Sequence, residues 1–309
     1  YRSDIDGLRA IAVLAVVLFH AFPALVPGGF IGVDIFFVIS GFLISTILVK
    51  EHERGSFTFS NFYARRIRRI FPSLLVVMAS CFAFGWFALF PDEFKQLGRH
   101  MAGGAGFLSN VVLWNEVGYF DRAADTKPLL HLWSLAIEEQ FYIVWPVLLL
   151  LAARRRLSFM LLAAGLGLVS FAVNVGFIST FPTAGFYSPA SRAWELLLGA
   201  VLACAFLSPR GLPGLTSASP AARNLRSAAG AALIALGLAF IARGDKFPGW
   251  YALLPTLGAV LLISAGPAAW FNRVVLSNRL LVWCGLISYP LYLWHWPLLS
   301  FAHIVESGT

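Results

Sequence analysis

Apolar residues run along this chain in stretches of about twenty, and polar residues gather in the short segments between them. A hydrocarbon core about 30 Å thick needs roughly 20 apolar residues in a helix to cross it. Such runs lie near 8–26, 29–49, 70–90, 129–152, 157–178, 188–207, 226–243, 250–267 and 280–302. The pattern predicts an all-α polytopic membrane protein with about nine crossings. A tenth run, 96–114, is interrupted by Arg99, His100 and a glycine cluster.

Charge placement decides how that tenth run is read. KEHERG and RRIRR follow the second run, and Arg154, Arg155 and Arg156 follow the fourth. Arg210, Arg223 and Arg226 follow the sixth, and Arg273 and Arg279 the eighth. A crossing at 96–114 would put every later basic loop outside. A re-entrant or surface segment there puts all of them in the cytoplasm, together with Arg2 and Arg9, as basic loops of membrane proteins prefer. The second arrangement is expected, with the N-terminus inside. No internal repeat of a transporter kind is visible.

Composition supports the membrane reading. The 309 residues are 59% hydrophobic and 12% charged, about half the charge of a soluble domain. The net charge of +8 sits between apolar spans, so it reads as topology rather than as a nucleic-acid stripe. Cys81, Cys204 and Cys284 each lie inside an apolar run, with neither disulfide nor metal spacing, and no metal is expected. The chain begins at Tyr1 without a signal pattern and reads as a piece of a longer protein, 1–309 being one transmembrane domain.

Several ionisable residues fall where hydrocarbon would make them costly. Arg9 and His20, eleven residues apart on the first run, return to within about 20° of one helical face, roughly 16 Å apart along the axis. Taken singly, His20 reads as a satisfied buried imidazole and Arg9 as a snorkelling anchor; as a pair on one face they are a functional candidate. Asp34 lies in GVDIFFVISGFLIS and needs a partner, for which Arg9 or His20 is available, and Ser40-Gly41 permits close helix approach. SFTFSNFYARRIRRIFP, 56–72, reads as a basic loop for topology, anionic headgroups or phosphates. In LLHLWSLAIEEQFYIVWP, His131 and Glu138 share a face and Glu139 adds a second carboxylate. Two glutamates inside a span imply a cavity or a partner. Arg192 and Glu195 are spaced as an i, i+3 ion pair. His295 sits between two tryptophans in SYPLYLWHWP, as interfacial structure first and substrate contact second.

These segments, in this order, resemble the acyltransferase-3 family of integral membrane acyltransferases. The likeness rests on the R-x10-H pair Arg9 and His20, GVDIFFVISGFLI, FYARRIRRIFP, LHLWSLAIEEQFY, SRAWELLLGA and SYPLYLWHWPLL, and covers the whole chain. The HWP ending is similar to the bacterial subgroup whose membrane domain precedes a periplasmic SGNH domain, as in O-antigen acetyltransferases. On that resemblance the last of the family's ten helices and the SGNH domain are expected to lie beyond this stretch. The resemblance implies a multi-pass protein of the bacterial inner membrane that O-acetylates a cell-envelope polysaccharide such as O-antigen lipopolysaccharide. It implies acetyl-CoA as cytoplasmic donor, its phosphates on Arg66 and Arg69 with Arg65 assisting, and a sugar hydroxyl as acceptor on the periplasmic side. His20 would be the catalytic histidine, with Arg9, Glu138 and Asp34 beside it. Substrate contacts are expected from His131, Trp133, Ser134, Glu139, Arg192, Glu195 and His295.

Imidazole supplies a base near neutral pH, and cations stabilise a developing oxyanion. His20 as base and His20 as transient acyl carrier both remain open. So does relay to the SGNH domain. The rival class is a transporter or flippase that uses the same charges as an ion relay and ignores acetyl-CoA.

Overall fold

The computed structural model describes residues 1–116, 124–208, 219–242 and 244–307. Its elements are helices: α1 (Ser3–Ala21), α2 (Gly32–Glu53), α3 (Phe59–Ala88), α4 (Pro91–Ala105), α5 (Ser109–Glu116), α6 (Leu132–Arg154) and α7 (Phe159–Thr180). There follow α8 (Pro182–Tyr187), α9 (Pro189–Leu207), α10 (Pro220–Phe240), α11 (Leu253–Ala265), α12 (Arg279–Leu286) and α13 (Ser288–Ser307). Among the described residues there is no strand.

Local chemistry sets several boundaries. Thr58, Ser158, Ser188 and Ser219 accept backbone N–H bonds with their hydroxyls at the starts of α3, α7, α9 and α10, capping donors that would otherwise be orphaned. Proline at the first turn of α9 and α10 suits a position whose N–H has no helical partner. The Thr58 cap also corrects the reading of 56–72 as a loop. Arg65, Arg66 and Arg69 lie in the opening turns of a 30-residue helix.

Among the described residues, five helical stretches are long and apolar enough to cross a membrane: Gly29–Glu53, α3, α6, α7 and Pro182–Leu207. The other expected crossings are shorter or more polar. α1 carries Asp4, Asp6 and Arg9, and α11 has 13 residues. The run expected at 280–302 is divided at Ile287 between α12 and α13. Gly106 and Phe107 (φ 53°) divide 96–114 into α4 and α5. At 1.5 Å per residue neither piece reaches the ~30 Å needed to cross. Arg210, one of the basic residues used for orientation, lies outside the described residues.

α2 is the central helix. It packs on α9, α1, α11 and α6, while α7 covers the far side of α9. The α2–α9 seam is close because Gly41 and Gly199 face it: a Cβ on Gly41 would lie 1.8 Å from the Leu196 carbonyl oxygen, and one on Gly199 2.1 Å from that of Val38. Small residues let helix backbones meet in this way, as the Ser40-Gly41 pair suggested. Outward faces stay apolar, with Leu161, Leu168 and Val169 of α7 and Leu75, Val76 and Phe87 of α3 exposed, as a lipid environment requires. Cys81 and Cys204 are buried and Cys284 is half-buried, all three as free thiols.

Candidate active site

Two cavities lie one above the other beside α1 and α2, and Val33 and Tyr292 belong to the walls of both. The first, of about 330 Å³, lies towards the start of α1 and α3. The second, of about 280 Å³, lies towards the end of α1 and the start of α2. Arg9 lines the first and His20 the second, so the helical face they share runs from one cavity to the other.

The arginine cavity takes Arg9 from α1, Arg66 and Arg69 from α3, and Glu138 and Glu139 from α6. Arg66 lies 3.5 Å from Glu139 and rests 3.8 Å above the centre of the Tyr142 ring. That contact, which the ring's negative face favours, fixes the guanidinium in the cavity wall. Arg9 pairs with Asp6 at 3.5 Å. Ser40 donates its hydroxyl hydrogen to the Glu138 carboxylate. Arg65 takes another place: it points outward, half-exposed, to Glu51 at 2.6 Å and is absent from the cavity wall. The α-helical register separates it by about 100° from Arg66, whereas Arg66 and Arg69, three residues apart, share a face.

The histidine cavity is mostly aromatic, with Phe19, Phe30, Trp133, Phe186 and Trp296 in its walls beside His20 and His131. His20 Nδ1 is 3.1 Å from His295 Nε2, and Trp296 meets the His20 ring edge-on at 4.5 Å. The ring nitrogens of His131 have no hydrogen-bond partner of ordinary geometry. Although three histidines converge, no group of three or more His, Cys, Asp or Glu among the described residues is disposed to hold a metal ion.

Asp34 also lines this cavity, but its partner is neither Arg9 nor His20. Arg192 on α9 takes that role at 3.1 Å and holds Glu195 at 3.0 Å. Four aromatic rings, of Phe37, Trp133, Phe186 and Phe247, lie within 5.9 Å of the same guanidinium. Glu195 faces neither cavity. Ser134 lines the arginine cavity rather than the histidine one, and its hydroxyl lies 2.7 Å from that of Tyr292. Tyr142, Tyr289 and Tyr292 are among the wall residues that sequence reasoning missed, as are Ser288 and, in the histidine cavity, Tyr187 and Asp245. For two of them the signal was helical spacing: Tyr142 follows Glu138 by four residues, and Tyr292 precedes His295 by three.

A pair of adjoining cavities, one cationic and the other imidazole-bearing, suits group transfer from an anionic carrier. Comparison with known proteins agrees. Residues 2–305 match the family model described as the acyltransferase domain. The peptidoglycan O-acetyltransferase OatA of Listeria monocytogenes is 34% identical over 309 residues, covering 97% of this chain and 50% of that protein. The putative peptidoglycan O-acetyltransferase YrhL of Bacillus subtilis is 34% identical over 322 residues, 99% of this chain and 50% of that protein. A putative O-acetyltransferase of Staphylococcus aureus, SAS0844, is 33% identical over 98% of this chain and 51% of its own length. This chain thus spans about half the length of these curated relatives. No solved structure matches. With nearly every residue inside the family match and relatives above 30% identity along the same stretch, the chain belongs to the membrane acyltransferase family.

Proposed function

We propose that this chain transfers an acetyl group from cytoplasmic acetyl-CoA to a hydroxyl of a cell-envelope glycan across the bacterial inner membrane. The observation that carries the reading is the shared wall of Val33 and Tyr292 between the arginine and histidine cavities. Arg66 and Arg69 hold the nucleotide phosphates, since guanidinium forks match phosphate geometry. The thioester then reaches along α1 from Arg9 towards His20. The acceptor's hydroxyl proton passes to the His20 imidazole and its oxygen bonds to the thioester carbonyl carbon. The carbon–sulfur bond breaks, and the leaving sulfur takes the proton back as free thiol. The N-terminus lies in the cytoplasm, as the basic segments favour.

The relatives' names favour peptidoglycan over O-antigen as the acceptor. The aromatic walls suit a sugar ring, whose apolar faces pack on side chains such as Trp133 and Trp296. Relay through an SGNH domain would keep the donor chemistry and change only the last acceptor.

Calorimetric titration of acetyl-CoA into the purified protein tests the donor site, beside the double variant Arg66→Lys/Arg69→Lys. The lysines keep the charge that topology needs and remove the fork. Saturable binding weakened in the variant supports the reading. A folded parent that binds no acetyl-CoA contradicts it and favours the transporter class.

A further inference from the structure

The hydrogen bonds around His20 determine which of its nitrogens carries the lone pair. His295 Nδ1 lies 2.6 Å from the Tyr292 carbonyl oxygen, one turn back on α13. A carbonyl only accepts, so Nδ1 of His295 bears the hydrogen, and the lone pair of the neutral ring is on Nε2. That Nε2 faces His20 Nδ1 at 3.1 Å. Two lone pairs make no hydrogen bond, so Nδ1 of His20 is the donor. The lone pair of neutral His20 therefore lies on Nε2.

We propose that His295 is a positioning residue for the acyl transfer, holding His20 in the Nδ1–H tautomer so that Nε2 is its basic atom. The inference rests on the reading of His20 as the catalytic imidazole. When Nε2 takes the acceptor's proton, Nδ1–H still donates to His295, and the ring keeps its orientation through the proton's arrival and departure. Soluble enzymes use a carboxylate for this purpose. Inside a bilayer a second charge costs solvation energy, and a neutral imidazole backed by a peptide carbonyl orients the base without one. Packing keeps the device in register. The His131 ring meets His295 edge-on at 5.6 Å, and Tyr292 lies against it at 5.3 Å. Both neighbours come from segments already fixed to each other, since Tyr292 donates its hydroxyl hydrogen to the His131 carbonyl at 3.0 Å.

Two variants separate acceptance of this hydrogen bond from filling of space. His295→Gln puts an amide oxygen where Nε2 lies, and His295→Leu fills similar volume with no acceptor. Each is assayed in lipid nanodiscs with acetyl-CoA and soluble peptidoglycan fragments, after melting curves establish equal folding. The expected result for His295→Leu is a kcat lower by about 10²-fold with an unchanged KM for the fragments, while His295→Gln stays within about tenfold of the parent. Selective ¹⁵N-histidine labelling reads the tautomer directly, with the His20 signals identified by their loss in His20→Ala. Nδ1 of His20 is protonated in the parent and in His295→Gln, and loses that preference in His295→Leu. An unprotonated Nδ1 in the parent, or His295→Leu turning over at the parental rate, overturns the assignment while His20→Ala inactivity upholds the catalytic reading. A raised KM with unchanged kcat in both variants makes His295 a substrate contact instead. An active His20→Ala overturns the catalytic reading itself and the assignment with it.

Discussion

The Arg192 guanidinium on α9 lies 3.1 Å from Asp34 on α2, and this contact crosses the most extensive helix seam of the protein with both side chains sealed from solvent. With Glu195 also at 3.0 Å, one cation serves two carboxylates. Removing the cation leaves both acids buried without a counter-charge. Arg192→Met is expected to lower stability by about 3–5 kcal/mol, and the triple variant that adds Asp34→Asn and Glu195→Gln to regain most of it. Denaturation in detergent, followed by circular dichroism, measures both. A fully stable Arg192→Met would show that the triad holds nothing together.

The same seam predicts intolerance at Gly41. A methyl group there meets the Leu196 backbone, which cannot swing aside as a side chain would. Gly41→Ala is expected to cost about 1–3 kcal/mol, the usual range for overpacking. Gly165, whose Cβ would meet nothing within 4 Å, is the control. Gly165→Ala should melt at or above the parental temperature.

Glu138 offers a separation of binding from turnover. Its carboxylate, held by Ser40, sits in the cavity that Arg9, Arg66 and Arg69 line. Neutralising it removes repulsion towards a polyanionic donor. Glu138→Gln should bind acetyl-CoA at least as tightly as the parent and turn over at least about tenfold more slowly. Titration and initial rates on one preparation check this. Weaker binding with unchanged turnover would place Glu138 in structure rather than in chemistry.

Acid sensitivity is expected at the α4–α5 hairpin. His100 lies 2.9 Å and Lys127 3.2 Å from Glu116. Burial pushes the Glu116 carboxyl up, but its bonds and charge pairing with His100 and Lys127 outweigh this and hold it below the ordinary glutamate value. A depressed acid stabilises the fold above its unfolded pKa and loses that contribution as pH falls through the folded one. Partial exposure screens the effect. The melting temperature should therefore fall as pH drops below about 4.3, less steeply in Glu116→Gln. Equal slopes would refute the contribution.

Much of this was legible in the chain because hydrocarbon imposes a simple rule: a crossing helix needs length and apolar faces. The Arg9–His20 spacing told which residues share a face, and the two do line neighbouring cavities, one each. Asp34 could be seen to need a partner, but not that Arg192 would be it, because the pair forms between helices more than 150 positions apart. The break at Ile287 fits Pro290, which offers no N–H to the Leu286 carbonyl one turn back, yet it lies inside an apolar run that reads as one span. The basic stretch at 65–69 read as a loop because charge was weighed before the Thr58 cap. Tyr292 stayed unnoticed since a tyrosine among tryptophans resembles any interfacial belt.

The proposed transfer through His20 carries the acetyl group from one side of the membrane to the other. Sealed vesicles with the arginine end outward, loaded with soluble peptidoglycan fragments, test it most directly. Acetyl-labelled acetyl-CoA is supplied outside only, to the parent and to His20→Ala. Label is expected on the enclosed fragments with the parent and none with the variant, which still binds acetyl-CoA. Equal labelling by His20→Ala, or donor binding by the parent with no label inside, would contradict it.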